Sequence, residues 1–589
     1  MKMKSILLAA AACFAAVPGF AADVIVTGKI AQNTTWTASN RYLLSGYVFV
    51  TPGATLTIEP GTIIQGRVSS GSSAAALVVS RGARINAAGT AQRPIIFTSE
   101  LDQLNGNLTE RDTGLWGGVV ILGNASINSR ANGAAAGTPA QDQVEGFSVT
   151  GDDVGLITFG GTDDADNSGT FRYVSIRHGG AVIGTANEIN GLTLGGVGSG
   201  TTIEYVEVFA NKDDGFEWFG GTVNAKYLVS AFNNDDGFDF DQGFRGNLQY
   251  LFAILGDIGS DFGDKGFEWD GATTPLTASP KAKTTVANAT IIGASTAGKL
   301  SYALNIRDSA EALVFNSVFV NFEKMVDLEN DVDDGPNPAP IFKNNIFFSQ
   351  VAANNTALGL NARPTGTVNA TALIGDATNS IINPALRNIS YTATRALDPR
   401  PAAGSPALTG AGTFSGSGLT QTDFRGAFKD TNWAAGWTKL WNDGWFSLAS
   451  AGTPDSPIVS GSASKLSNVS IRTTVAANAV VNPGFFINGT QAQTVLIRAV
   501  GPGLAQFGVT GVVADPTLEL FSGATKIGEN DNWSGAQAAT LAAQVGAFPL
   551  TAASNDAVLI ANLAPGAYTV QARGKTGGGD ILIEIYEID

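Results

Sequence analysis

The chain has almost none of the side chains that most often bind zinc or attack a substrate. Its 589 residues include one cysteine and one histidine, Cys13 and His178. Zinc sites built on pairs of histidines are therefore excluded, and a Ser-His-Asp triad would have to use His178. Because His178 follows Arg177 at the end of a strand-like run, a corner residue with satisfied hydrogen bonds is a simpler interpretation than a catalytic one.

Charged residues are also scarce, and acidic ones outnumber basic ones. They make up 15% of the chain, with 35 basic and 51 acidic residues and a formal net charge of −16. Nucleic acids and anionic membranes need basic patches, so binding to either is not expected. No apolar run reaches the ~18 residues of a membrane-spanning helix, so no transmembrane segment is predicted.

The first residues have the pattern of an export signal. A basic start precedes the apolar run Ile6–Val17, and Gly19–Ala21 has the small-x-small pattern of a cleavage site. We therefore predict a signal peptide at residues 1–21 and an exported protein, extracellular, on the outer cell surface or in the periplasm. Its removal leaves 33 basic and 51 acidic residues, a net charge of −18, and no cysteine. A lipoprotein acylated at Cys13 is the alternative.

Glycine is abundant, with 72 residues, and it separates short apolar runs that are typical of strands. From Tyr47 onward, runs such as VFV, TLTI and ALVV alternate with turn residues, for example Pro52-Gly53 and Pro60-Gly61. Almost no Asn-Gly or Asp-Gly turn lies between these runs, which argues against strands paired by hairpins. We predict an all-β chain in which residues 22–400 form a solenoid.

Three segments combine an acidic-Gly corner with a strand in which aromatic and acidic residues alternate. They are NKDDGFEWFGG from Asn211, NNDDGFDFDQG from Asn233 and GDKGFEWDG from Gly263. Aligned on their Gly-Phe pairs, they lie 22 and 29 residues apart, about one turn of a β-solenoid. Since successive side chains of a strand point to opposite faces, the aromatic residues should point inward. The acidic residues Glu217, Asp239 and Glu268 should then form a ladder that points outward.

This ladder has three interpretations, which the sequence leaves open. The first is a solvated acidic face whose Asp-Gly corners only form turns. The second is Ca²⁺ binding, since a hard cation prefers carboxylate oxygens. The candidate ligands are Asp213, Glu217, Asp235, Asp239, Asp241, Asp264, Glu268 and Asp270. The third is acid–base catalysis on a glycosidic bond by two carboxyl groups. The catalytic candidates are Asp214, Asp236, Asp239 and Glu268.

Several phrases resemble those of bacterial secreted right-handed parallel β-helix proteins. They are TPGATLTIEPGTIIQGR, LWGGVVILGNASIN and FRYVSIRHGG, and the resemblance spans about residues 45 to 400. It implies the fold but not an activity, because lyases, hydrolases, adhesins and surface proteins share this architecture. Polygalacturonase-like members carry a His-Gly after their acidic rungs, whereas His178-Gly179 comes before them. Pectate-lyase-like members use Ca²⁺ and an arginine base, for which Arg245 and Arg307 are the candidates.

The chain changes character after residue 400. Residues 401–451 resemble the closing segment of the same secreted proteins, and we call them the closing segment. Four tryptophans recur there every four residues: Trp433, Trp437, Trp441 and Trp445. On a helix they would share one side and could stack on sugars, but a cap over the end of the solenoid is the simpler interpretation.

Residues 452–464 are rich in Ser, Pro and Gly and are predicted to be a linker. Residues 465–589 then show the runs of a separate all-β module. The phrases LELFSGATKIGENDNW and LAPGAYTVQARG resemble small C-terminal β-sandwich domains of the pre-peptidase type. That resemblance implies a role in attachment or secretion.

Three functions follow as hypotheses. The first is a non-enzymatic surface protein whose acidic face, bridged by Ca²⁺, binds a polysaccharide or another component of the cell envelope. The second is a polysaccharide lyase or glycoside hydrolase, which predicts Arg245 or Arg307 facing the carboxylates. The third is a structural spacer that displays the C-terminal module.

Overall fold

The computed structural model describes residues 23–129, 140–147, 149–184, 187–256, 263, 265–272, 278–294, 301–329, 340–351, 354–355, 358–361, 369–450, 468–487, 493–533, 536–564 and 566–588. The expected signal peptide, the whole predicted linker and Asp264 lie outside the described residues. The chain divides into two compact units, Met1–Asp455 and Ser456–Asp589. Within the described part of the chain, no helix has the length and apolar character that crossing a membrane requires.

The first unit consists of short strands with little helix. Its strands are β1 (Asp23–Ile30), β2 (Thr34–Trp36), β3 (Arg41–Val50), β4 (Thr55–Ile58), β5 (Ile63–Gly66), β6 (Ala76–Val79), β7 (Arg84–Ala88), β8 (Ile95–Ser99), β9 (Val119–Leu122), β10 (Asp142–Gln143), β11 (Thr158–Phe159), β12 (Gly169–Arg177), β13 (Val182–Gly184), β14 (Asn187–Glu188), β15 (Leu192–Gly195), β16 (Thr202–Phe209), β17 (Phe216–Phe219), β18 (Ala225–Ala231), β19 (Phe238–Asp241), β20 (Asn247–Ile254), β21 (Lys265–Asp270), β22 (Lys283–Ile292), β23 (Tyr302–Arg307), β24 (Glu311–Phe315), β25 (Val318–Val320), β26 (Lys324–Leu328), β27 (Ile341–Lys343), β28 (Ile346–Phe348), β29 (Gly359–Asn361), β30 (Ser380–Ile381), β31 (Leu386–Asn388) and β32 (Asp398–Pro401). Its described α-helices are α1 (Ala370–Ile374) and α2 (Lys439–Asn442).

In this unit 26 strands join in one continuous sheet, and the described ladders within it are parallel. Each turn of the coil pairs with the next, as in the run β15–β17–β19–β21–β23–β26. The first unit is therefore a right-handed parallel β-helix, and the fold class predicted from the sequence is confirmed.

Tyrosines occupy one corner of the coil, where the long strands bend. Tyr173, Tyr205, Tyr227 and Tyr250 have positive φ angles of 48°, 53°, 60° and 61°. A non-glycine residue in this conformation costs energy, so neighbouring contacts must hold it there. The four rings stack on one another with centroids 4.4, 4.3 and 4.8 Å apart, which supplies such contacts.

Aromatic side chains of the three acidic segments form the inner core, as predicted. Phe216, Phe238 and Phe267 form one stack, with successive ring centroids 5.3 and 5.1 Å apart. Trp218, Phe240 and Trp269 form a second stack beside it, with successive centroids 5.1 and 5.0 Å apart. All six are fully buried. The alternation within each strand therefore fixes which face the acidic residues take.

The closing segment packs along a flank of the β-helix, where a cap over its end was expected. Phe209, Val229 and Phe252 point outward from successive strands and are buried against Phe428 and Trp445, among others. Of its tryptophans only Trp441 lies within the one-turn helix α2, so the four do not form a helical stripe. The outer face of these strands is apolar and must be covered, which explains why the closing segment packs against it.

A buried carboxylate attaches the closing segment to this flank. Glu207 of β16 is fully buried and accepts hydrogen bonds from the backbone N–H of Lys439 at 2.7 Å and of Leu440 at 3.2 Å. The Ser175 hydroxyl donates a third at 2.6 Å. Burial raises the pKa of Glu207, while these donors and the nearby Arg177 guanidinium oppose the shift.

Removing this carboxylate should loosen the closing segment. We expect Glu207→Ala to destabilise the protein by about 3 kcal/mol, since two buried N–H groups lose their acceptor and the nearby buried Arg177 guanidinium loses a compensating charge. Glu204→Ala is the matched control, because Glu204 lies on the same strand and its ion pair with Arg172 is at the surface. Urea unfolding of the three proteins tests this, and equal losses for both variants would contradict the assigned role.

The second unit contains two antiparallel sheets of four strands, in the orders β33-β40-β35-β38 and β34-β39-β36-β37. Its elements are β33 (Asn468–Val475), β34 (Gly484–Ile487), β35 (Gln493–Val500), β36 (Pro516–Ser522), β37 (Thr525–Asn530), α3 (Ala536–Gln544), β38 (Ala557–Leu563), β39 (Gly566–Gly574) and β40 (Gly579–Ile588). Apolar side chains of both sheets, such as Ile497 and Val570, share one core.

Candidate acidic site

Five outward residues of consecutive rungs form one column, which we call the acidic column. Its members are Glu217, Asp239, Glu268, Asn305 and Asp327. Each lies directly opposite the next across the parallel ladder, so their spacing is one rung, about 4.8 Å. The predicted ladder of Glu217, Asp239 and Glu268 therefore exists, and it continues for two further rungs.

The carboxylates of this column are buried, so the first of the three interpretations, a solvated acidic face, does not describe them. Glu217 is 6% exposed, and Asp239 and Glu268 are each 8% exposed. They point away from the apolar core but lie among corner residues and long side chains of neighbouring rungs, such as Asp214 and Lys265. Burying a carboxylate without a partner is costly, so each of these groups needs a proton, a cationic side chain or a metal ion.

In the first part of the column, the carboxylates of Glu217 and Asp239 form no ion pair with a described lysine or arginine. One carboxylate oxygen each of Asp214, Glu217 and Asp239 lies within 4.8 Å of the other two. Asp213, Asp214 and Asp235 form a second such group at the adjacent corner, with Asp235 exposed. Asp214 accepts a hydrogen bond from the Asp236 backbone N–H at 2.8 Å, and the Asn190 amide donates to Glu217. No described group donates to Asp239 Oδ1.

Burial and mutual repulsion raise the pKa values of these groups. Burial is the larger cause for Asp214, Glu217 and Asp239, and neighbouring carboxylates add to it, so their pKa values lie well above the usual range. Burial and Asp235 raise the pKa of Asp213 to about 7. At neutral pH without a cation this cluster would therefore retain protons.

Basic side chains neutralise the next part of the column. Lys265 Nζ lies 3.2 Å from Asp236 and 3.2 Å from Glu268. Arg307 lies 3.6 Å from Glu268 and donates to Asp270 Oδ2 at 2.8 Å. Burial still raises the pKa of Asp270 to about 6 against the effect of Arg307. The column thus divides into an uncompensated part around Asp239 and a compensated part around Glu268.

The remaining candidates fall in different places. Asp241 extends the outward face beside Asp239, and burial together with Asp270 raises its pKa to about 7. Arg307 faces the column as the lyase hypothesis predicts, but Arg245 does not contact it: its guanidinium lies 3.0 Å from Asp164 and donates to Ser126. Asp264 cannot be placed, since it lies outside the described residues.

The only histidine lies at a corner away from the column. His178 has a φ of 60° and is fully buried, with Nδ1 2.6 Å from the Asp112 carbonyl oxygen. Burial, and then the charge of Lys439, lower its pKa to about 4. A neutral buried imidazole at a bend agrees with the interpretation of His178 as a corner residue, although its Nε2 has no described partner.

Sequence reasoning missed Asn190, Asn305 and Asp327. Asn305 and Asp327 occupy outward positions of strands that lack an Asp-Gly corner, so no repeated phrase marks them. The alternation of inward and outward residues, applied to the strands YALNIR and KMVDL, would have placed Asn305 and Asp327 on the outward face. Asn190 precedes its strand in an irregular loop, and no local pattern indicates its contact with Glu217.

A protein-family model described as a pectate-lyase like beta helix domain matches residues 28–438. No curated protein matches the chain. Among solved structures, the enzymatically active domain of bacteriophage CBA120 tailspike protein 4 is 9% identical, with a TM-score of 0.12. That match covers 96% of this chain and 64% of the tailspike chain, less than two thirds of its length. So low a score carries no structural argument.

Proposed function

The chain belongs to the pectate-lyase-like β-helix family, and we propose that it is an exported protein whose acidic column binds Ca²⁺ and, through it, an acidic polysaccharide. The observation that carries this proposal is the cluster of Asp214, Glu217 and Asp239. Oxygens of their buried carboxylates lie within 4.8 Å of one another, and none of the three forms an ion pair with a described lysine or arginine. Such a cluster needs a cation once the pH is high enough to ionise it.

Calcium fits this donor set better than other common metal ions. The ligand atoms are carboxylate oxygens, which suit a hard cation and not a soft one. Ca²⁺ takes six to eight oxygen ligands, whereas these three side chains bring one oxygen each to the cluster. The remaining positions are available to water or to oxygens of a bound polysaccharide.

An acidic ligand would depend on the bound cation. The chain carries a net charge of −16, so a polyanion would be repelled without a bridging cation. Bound Ca²⁺ would offset most of the negative charge of the three carboxylates, and carboxylate groups of the ligand could complete its coordination. We therefore place the polysaccharide, or an acidic component of the cell envelope, over the uncompensated part of the column.

Retention on an immobilised acidic polysaccharide tests the proposal. We expect the protein to bind polygalacturonate in the presence of Ca²⁺, to elute in chelator, and not to bind neutral dextran. Asp239→Asn should weaken retention at least ~10-fold, because it removes a charged ligand of the cation. Asp423→Asn is the matched control, since Asp423 is an exposed surface residue paired with Lys429. Retention that is unaffected by chelator would contradict the proposal.

Cleavage of the polysaccharide is the second candidate, and two observations bear on it. The raised pKa values of Asp214 and Asp239 would suit a general acid for glycoside hydrolysis. For a lyase, Arg307 faces the column, but its hydrogen bond to Asp270 raises its pKa and keeps it protonated, which is unsuited to a base. New reducing ends, or unsaturated uronates, released from polygalacturonate would show hydrolysis or lyase activity respectively.

A further inference from the structure

A cavity lies in the second unit, between α3 and the outer face of one sheet. Its volume is about 220 Å³, and its walls include four alanines of α3 together with Leu550 and Val558. On β35, Ile497 points into the core between the two sheets, whereas Leu496 points the other way and packs with Ala542 of α3. The helix thus covers this face of the sheet with short side chains, which leaves space beneath it.

A buried arginine also lines this cavity. Arg498 of β35 is 1% exposed, and its Nε donates to Glu584 Oε2 at 2.9 Å. Its Nη1 donates to the Phe548 carbonyl oxygen at 2.7 Å. Nη2 lies 2.7 Å from the same Glu584 oxygen, but it makes no hydrogen bond within the described part of the chain. The guanidinium therefore presents N–H groups that still need an acceptor.

The charge of Arg498 is already balanced, which decides the charge of a ligand. Glu584 is buried beside it, and the second oxygen of this carboxylate accepts a hydrogen bond from the Tyr586 hydroxyl at 2.8 Å. An acidic ligand would bring an uncompensated negative charge to this interior, which is costly. An uncharged oxygen would accept from Nη2 and add no charge.

The volume of the cavity decides the size of a ligand. A dry apolar cavity of about 150 Å³ holds one benzene molecule, and this cavity is about one and a half times as large. It therefore has room for one ring and a short substituent. Water alone would find few hydrogen-bonding partners between the alanines, whereas an apolar molecule would gain by leaving water.

We propose that the second unit binds a small uncharged carbonyl compound with an apolar body, such as an aromatic ketone, in this cavity. The apolar body lies against the alanines of α3, and the carbonyl oxygen accepts a hydrogen bond from Arg498 Nη2. The ring of Phe548, 4.4 Å from the guanidinium carbon, and the ion pair with Glu584 hold the arginine in place for this contact. The site lies in the second unit and needs no cation, so it is independent of the acidic column.

Three ligands that share one ring test the proposal on the full chain in chelator by fluorine NMR titration. We expect para-fluoroacetophenone to bind with a Kd below about 1 mM. Para-fluorotoluene lacks the oxygen and should bind about 10-fold more weakly, because it leaves Nη2 unpaired. Para-fluorobenzoate should also bind at least about 10-fold more weakly than the ketone, because its charge is repelled by Glu584. Absence of saturable ketone binding, equal binding of the toluene, or tighter binding of the benzoate would overturn the proposal.

Filling the cavity should abolish the binding of the ketone. Ala542 is a buried residue of the lining, and the ring introduced by Ala542→Phe would occupy the space meant for the ligand. We expect the affinity for para-fluoroacetophenone to fall at least ~10-fold in this variant. Ala505→Phe is the matched control, because Ala505 is exposed and does not line the cavity. Unchanged affinity in Ala542→Phe would contradict the assigned position.

The double variant Arg498→Met/Glu584→Gln tests the polar contact separately. It removes both charges of the buried pair together, so neither is left without a partner. The ring should still bind, but the preference for para-fluoroacetophenone over para-fluorotoluene should disappear. A preference that persists would show that Arg498 does not bind the carbonyl oxygen.

Discussion

In chelator, the unfolding temperature of the protein is expected to be about 5 °C lower at about pH 8 than at about pH 5. The acidic face is the cause. The folded-state pKa values of Asp213 and Asp241 are raised to about 7 and that of Asp270 to about 6, well above those of unfolded carboxyl groups. Their stabilising contribution is complete below the unfolded pKa near 4 and is lost as the pH rises through the folded values.

Other titrating groups do not reverse this trend. Carboxylates with lowered pKa values, such as Asp376 at about 2, lose their contribution to folding stability only below pH ~4, outside the range from about pH 5 to about pH 8. His178 does oppose it, because a folded pKa of about 4 makes its contribution rise up to the unfolded value near 6.5. A single histidine cannot outweigh the several carboxyl groups of the acidic face.

Calcium should remove this loss of stability. The proposed Ca²⁺ ligands Asp214, Glu217 and Asp239 also have raised pKa values and lie on the same acidic face. A ligand at 100 times its Kd stabilises the folded protein by about 2.7 kcal/mol. Scanning calorimetry at both pH values, with chelator and with Ca²⁺, measures the effect. An unfolding temperature that is higher at the alkaline pH in chelator would contradict the assigned burial of these acids.

The second large effect is expected for Lys265→Met. Lys265 lies between the buried carboxylates of Asp236 and Glu268, and its removal leaves both without this cation. Breaking a buried ion pair on one side costs about 3 kcal/mol. Adding Asp236→Asn should restore more than half of the loss, because the unpaired charge is then removed. Chemical denaturation at about pH 8 in chelator measures each variant.

Lys283→Met is the control for this prediction. Its ammonium group lies 2.7 Å from Glu311, but the lysine side chain is 54% exposed. An ion pair exposed in this way contributes at most about 1 kcal/mol. If Lys265→Met lowers the free energy of unfolding by no more than Lys283→Met does, Lys265 does not neutralise the column as described.

The alternation of side chains was readable from the sequence because it depends on the strand alone. In FEWF and FDFD, a period of two places aromatic residues on one face and acids on the other. The structure confirms the inward aromatic stack and the register of Glu217 with Asp239. Repetition of the Asp-Gly corner fixed this register, since each copy begins a rung at the same point.

Burial of the acids was not readable, because it depends on residues distant in sequence. Lys265 lies on the same strand as Glu268, but Arg307 approaches Glu268 from the next rung, and Asn190 reaches Glu217 from a loop. The closing segment covers a flank for the same reason, since its partners, such as Phe252, precede it by more than a hundred residues. A local pattern records the direction of a side chain but not what covers it.

The most direct test of the account is a calorimetric titration of Ca²⁺ into the chelator-treated protein at neutral pH. We predict saturable binding with a Kd below about 1 mM, within the range of extracellular calcium sites, and a clear loss of binding in Asp239→Asn. The control Asp423→Asn should bind as the wild type does. Absence of binding up to about 10 mM Ca²⁺, or unchanged binding in Asp239→Asn, would contradict the assignment of the acidic column as a cation site.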